Sequence, residues 1–217
     1  MARFFVFEGT DGAGTTTQGN RLAAALGPSK VVRTREPSDG PIGRLLRDAL
    51  RGRLERRLGA EEVALLFAAD RVDHCRSEIG VALAAGRHVV CDRYLGSTLA
   101  FQAVDGDGAI AEAWLLAINQ PILTPDLTLW IDVPVDVAMA RIDARGAPHE
   151  RFEVAATLCR VRSRYAALAS AGAAVLGPIA RIDGVGSQDA VAARVAAAVA
   201  AIAPELDLAR DTDGAAQ

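Results

Sequence analysis

The chain of 217 residues is 51% hydrophobic, 24% charged and only 5% aromatic, with a formal net charge of -3. That balance belongs to a globular protein; it excludes a disordered chain, a collagen-like repeat or a disulfide scaffold, and the slight negative charge argues against nucleic-acid capture as the main task. Of 24 basic residues only Lys30 is a lysine, so arginine is nearly the sole cation open to any phosphate site.

In chain order, residues 3–7 form a short apolar strand that runs into a glycine-rich turn and a helix to about residue 26. A second strand covers 31–34, and Arg35-Glu36-Pro37 and Gly40-Pro41 punctuate a loop before a helix spaced on Ile42, Leu45, Leu46, Ala49 and Leu50. One long helix is predicted from 60 toward 85, with Gly86 as its stop. The strand at 88–91 delivers Asp92-Arg93-Tyr94, and helices at 95–103 and 109–119 precede a strand at 127–131. A helix from Pro134 to about 144 leads into an arginine-dense connection at 141–153, read as mobile, then a helix at 154–171, a strand at 175–182 and a helix at 188–203. Alternating strands and helices predict an α/β fold, a parallel sheet of about five strands with helices on both faces, in a single domain over 1–203 followed by a frayed polar tail at 204–217.

Cys75, Cys91 and Cys159 lie far apart without metal spacing, which predicts reduced thiols in a cytoplasmic protein. The N-terminal apolar run and the stretch at 191–203, which Arg194 interrupts, are both too short to cross a membrane.

Gly9-Thr10-Asp11-Gly12-Ala13-Gly14-Thr15-Thr16 lies between a strand and a helix, where glycines let backbone amides turn inward and the helix N-terminus favours polyphosphate. Thr16 stands where a hydroxyl ligates Mg²⁺. Thr15 occupies the place of the lysine that reaches the terminal phosphates, so the pattern G-x-x-x-x-G-K-[ST] is broken at one position.

With Phe7-Glu8-Gly9-Thr10-Asp11-Gly12-Ala13-Gly14, Thr16-Thr17-Gln18, Thr34-Arg35-Glu36-Pro37, Leu66-Phe67-Ala68-Ala69-Asp70-Arg71, Asp92-Arg93-Tyr94 and the segment 97–102, the chain resembles the thymidylate kinase family from residue 3 to about 203. The resemblance implies a P-loop nucleoside monophosphate kinase fold, a homodimer, and Mg²⁺-dependent transfer of the ATP γ-phosphoryl group to dTMP. Membrane and nucleic acid are not expected partners. It assigns ATP to Gly9, Thr10, Asp11, Gly12, Ala13, Gly14, Thr15, Thr16, Thr17 and Arg141. Phe67 matches the aromatic over the thymine, and Arg71, one helical turn on, matches the arginine at the base edge.

By the same resemblance, Arg93 binds the dTMP phosphate, Asp92 lies near Mg²⁺, Thr98 and Gln102 face the thymine, and Phe101 presses on the sugar where the family usually has tyrosine. Arg47 matches another acceptor-site arginine, although a solvated basic face with Arg44, Arg51 and Arg53 is the competing reading. Asp11 and Glu8 match acidic positions near the sugar and the metal; Glu8 capping the loop is the alternative.

In this family the arginine that meets the transferred group comes from the P-loop or from the lid. Ala13 occupies the P-loop position, which leaves the lid at about 141–153, with Arg151 first and Arg145 second. One of these is expected to take over part of the missing lysine's duty. Thr15 keeps a second function open, a catalytically impaired nucleotide-binding protein with a regulatory or interaction role, and the acceptor-site residues leave dUMP open as a substrate.

Overall fold

The computed structural model describes residues 1–105, 110–146, 152–171, 174–206 and 208. Its strands are β1 (Phe4–Gly9), β2 (Val31–Arg35), β3 (His88–Asp92), β4 (Leu127–Asp132) and β5 (Ile179–Asp183). They form one parallel sheet in the order β2-β3-β1-β4-β5, with Phe7 opposite both Asp92 and Leu129. The helices are α1 (Thr15–Leu26), α2 (Pro41–Leu50), α3 (Ala60–His74), α4 (Gly80–Ala84), α5 (Leu95–Ser97), α6 (Glu112–Ile118), α7 (Val135–Ala144), α8 (Ala155–Ala171) and α9 (Gln188–Ile202).

β1 is buried along its whole length because both faces are covered, as continuous apolar parallel strands require. Side chains alternate across the sheet: Phe5 and Phe7 join α1, α7 and α9 in one core, while Phe4 and Val6 join α3 and α4 in the other. The α/β reading therefore holds, helices covering both faces. The carboxyl ends of β1 and β3 deliver Glu8, Gly9 and Asp92 to one edge, where ligands sit in open parallel sheets.

Four expectations need correction. The long helix predicted over 60–85 is interrupted by a wide turn at Cys75–Ile79, in which the Gly80 amide bonds the Cys75 carbonyl five residues back. Apolar spacing does not register this change of winding. The helix predicted over 95–103 widens in the same way at Thr98–Gln102, where five consecutive residues are buried. β5 begins at Ile179, after a tight helical turn at Ala174–Leu176, because its neighbour on β4 begins pairing there. The polar tail is tied down at its start: Glu205 pairs with Arg3 at 2.8 Å, and Leu206 and Leu208 pack against the core, with residues 207 and 209–217 outside those described.

Candidate active site

The loop after β1 bends back through two left-handed glycines, Gly12 (φ 76°) and Gly14 (φ 96°). A Cβ at Gly12 would lie 2.4 Å from the Ala138 carbonyl of α7, so the loop touches that helix where only glycine fits. Gly14 caps α1 with no side-chain acceptor, which leaves the first amides of α1 aimed past the loop. Arg141 of α7 braces the loop from behind, donating from Nη1 to the Ala13 carbonyl at 3.1 Å and from Nη2 to the Gly184 carbonyl at 2.9 Å. Thr15 is 6% exposed and its methyl lies against Gly9, so it contributes packing and no charge.

Thr16 donates its hydroxyl to Asp92 Oδ2 at the end of β3, while Asp92 Oδ1 is buried without a hydrogen-bond partner among the described residues. A hydroxyl beside a half-satisfied carboxylate at a helix N-terminus is a hard-oxygen set that suits Mg²⁺. The other acidic group expected at the metal is elsewhere. Glu8 accepts from the Tyr94 amide (2.9 Å), the Ser97 amide (3.0 Å), the Ser97 hydroxyl (2.6 Å) and the Tyr165 hydroxyl (2.8 Å). Both its oxygens are taken up in holding the turn that follows β3, and burial pushes its carboxyl above the ordinary range. The geometry favours the capping alternative over a ligand role.

Arg93 is left-handed, with φ 68°, and this kink turns its guanidinium across the loop mouth. Nη1 donates to the Gly9 carbonyl (2.8 Å) and the Ser97 hydroxyl (3.2 Å), and Nη2 to Asp11 (2.6 Å). Cζ lies 5.0 Å from the Phe101 ring centroid. Burial opposes the charge, but Asp11 and the neighbouring acids outweigh it and raise the pKa. Arg93, Asp11 and Phe101 are thus one constellation, with Phe101 packed edge-on against Phe152 at 5.3 Å.

A second cluster sits under α3. Arg71 is wholly buried; Nε and Nη2 reach Glu36, Nη1 reaches Asn119, and Nη2 also reaches Thr98 at 3.0 Å. A hydrogen bond from each of its three nitrogens holds it, so it presents a held edge in place of an open fork. Thr98 and Gln102 share the wide turn, and Gln102 Oε1 is buried with no partner among the described residues. Phe67 is half-buried one turn before Arg71. Arg47 donates to the carbonyls of Pro37 (2.8 Å) and Ser38 (2.6 Å) and pairs with Asp39 at 3.1 Å, which ties it to the loop after β2 and not to a solvated face with its neighbouring arginines.

Arg145 pairs with the buried Glu153. Arg151 lies outside the described residues. Sequence reasoning did not assign Glu36, Asn119 or Tyr165 to the site; Glu36 stood in a recognised motif, whereas Asn119 and Tyr165 carry no local signal.

The profile of the family described as thymidylate kinase matches residues 7–176. A thymidylate kinase of Bradyrhizobium sp. (strain BTAi1) is 45% identical over 159 residues, 70% of this chain and 69% of the relative. One from Alkalilimnicola ehrlichii is 40% identical over 172 residues, 77% of this chain and 79% of its own. The chain belongs to the thymidylate kinase family. Both clusters fall inside the stretch matched to the family. Among the described residues, no helix is long and apolar enough to cross a membrane, and no three metal-ligating side chains of His, Cys, Asp or Glu gather.

Proposed function

We propose that the protein transfers the γ-phosphoryl group of ATP to dTMP, giving dTDP and ADP. The observation that carries this reading is Arg93, whose one guanidinium joins Gly9 and Asp11 of the phosphate loop to Ser97 and Phe101 on the acceptor side. A cation in that position serves both nucleotides at the point where phosphoryl transfer needs alignment and charge. Phe67, Thr98 and Gln102 take the thymine, with the unpartnered Gln102 Oε1 as an acceptor for a ring N–H. Arg47 and Asp11 complete the dTMP side.

On the donor side the amides at the start of α1 hold the phosphates, and Arg141 holds the loop from behind. Thr16 and Asp92 would hold Mg²⁺, which when bound neutralises charge on the β and γ oxygens. Arg145 and Arg151, in a lid spanning about 141–153, supply the arginine that meets the transferred group.

A homodimer formed through the outer face of α2 and α3 fits the same reading. Leu45 and Leu65 are 45% and 49% exposed there, beside Leu54, Leu58 and Ala69. Light scattering tests it. Three free thiols, two of them buried and pushed up by burial, accord with a cytoplasmic location.

The deciding experiment is steady-state transfer from Mg-ATP to dTMP beside Thr15→Lys. Turnover by the unsubstituted protein is expected. Turnover only after the substitution would favour the nucleotide-binding role that Thr15 keeps open. In the same assay Arg151→Ala is expected to lower kcat by about 10²- to 10³-fold, and dUMP in place of dTMP reads the value of the thymine methyl.

A further inference from the structure

Removing the lysine from a phosphate loop removes a charge, and the described arginines do not replace it from within the loop. Arg93 is committed to Asp11 and Gly9, Arg141 faces the loop's back, and Arg145 pairs with Glu153. Arg33 of β2 stands differently. Its side chain crosses from the sheet edge to α1, where Nε donates to Asn20 Oδ1 at 3.0 Å, while Nη1 donates back to the Thr34 carbonyl of its own strand. Nη2 then reaches to 3.4 Å from Asp92 Oδ2, the oxygen that also accepts the Thr16 hydroxyl.

The helix makes room for this path. A Cβ on Gly19 would lie 2.9 Å from Arg33 Nη2 and 3.1 Å from Cζ, so glycine at this point of α1 leaves a notch that the guanidinium fills. The side chain is 22% exposed, and Nη2 keeps an N–H beyond its pairing with Asp92. A charge on one side of Asp92 and the uncapped amides of α1 on the other bracket the place where polyphosphate would lie.

We propose that Arg33 is a nucleotide-binding residue that supplies, from the edge strand, the positive charge the lysine position of the loop lacks. This rests on the ATP site as read above. A lid arginine approaches from the solvent side; Arg33 is already in place within the fold, beside Thr16. Guanidinium suits the task because it bridges two oxygens, so it serves phosphate without abandoning Asp92.

The test is a double-mutant cycle on ADP affinity, measured by calorimetry in EDTA so that no metal contributes. Arg33→Met is expected to weaken ADP binding about ten-fold, the effect of one lost charge-assisted hydrogen bond, with dTMP affinity unchanged. Gly19→Ala displaces the guanidinium without altering its charge; it should shift ADP affinity the same way and guards against misfolding of Arg33→Met. Thr15→Lys should tighten ADP more in the Arg33→Met background than alone, because either cation then serves the same phosphates. Unchanged ADP affinity in both Arg33→Met and Gly19→Ala, or strictly additive effects, overturns the assignment while leaving the ATP site standing. Failure of the unsubstituted protein to bind ADP at all overturns both.

Discussion

Two nitrogens of Arg71 converge on one oxygen of Glu36, Nε at 2.9 Å and Nη2 at 2.7 Å, and neither side chain is more than 2% exposed. The pair fastens α3 to the loop after β2, and Ser38 repeats the tie through Asp70 at 2.7 Å. Arg71→Met leaves a buried carboxylate without its partner and should lower stability by about 3–5 kcal/mol. The double variant Arg71→Met/Glu36→Met should recover much of that loss. Urea unfolding of Arg71→Met, Glu36→Met and the double variant checks it; additive losses would show that the two charges are not coupled.

Arg93→Lys isolates the guanidinium from the backbone kink, since lysine faces the same left-handed constraint. One ammonium cannot serve Gly9, Ser97 and Asp11 in the fork geometry. A fall in kcat of about 10²-fold, with a melting temperature close to the parent's, is expected from steady-state kinetics and a thermal scan.

Phe67→Ala removes the ring assigned to the base. Loss of one base stack is worth about 1–3 kcal/mol, so the dTMP Kd should rise about ten-fold or more while the ADP Kd stays put. Equal weakening of both ligands would mean that Phe67 supports the fold and not the thymine.

Gly96 has no room for a side chain: a Cβ there would lie 2.8 Å from Glu8 Oε1. Gly96→Ala must push Glu8 off the amides of Tyr94 and Ser97, an overpacking worth about 1–3 kcal/mol. Because that turn carries Arg93 and Thr98, the KM for dTMP should rise more than the KM for ATP.

His74 sets a pH dependence. Burial among α3 and the sheet lowers its pKa, but the Glu36 carboxylate at 3.3 Å, Glu78 at 3.2 Å and Asp70 together raise it above the ordinary 6.5. A histidine whose folded pKa is raised contributes stability in full below 6.5 and loses it as pH rises through the folded value. The difference in melting temperature between the parent and His74→Gln should therefore be largest in mildly acidic buffer and shrink toward alkaline pH. A difference that grew with pH would contradict this sign.

The strands were legible because buried parallel strands are short apolar runs, as at 127–131, and the phosphate loop because glycines punctuate it. What stayed hidden depends on distance along the chain. Tyr165 reaches Glu8 across 157 positions and Asn119 reaches Arg71 across 48, and no local pattern announces either. Arg33 was hidden differently: a charged residue on an edge strand reads as solvent-facing, and only the absent Cβ of Gly19 shows where it goes. The wide turns at Cys75–Ile79 and Thr98–Gln102 were missed because both kinds of winding bury similar residues.

The strand order also sets a timetable for biosynthesis. β1 leaves the ribosome first yet lies at the middle of the sheet, so its two edges stay open until β3 and β4 have been made. At roughly 5–20 residues per second, the wait for residue 132 is on the order of ten seconds, during which an apolar strand with unpaired amides is exposed. Nascent chains stalled before residue 127 should therefore bind chaperone in preference to folding, and released chains truncated there should aggregate.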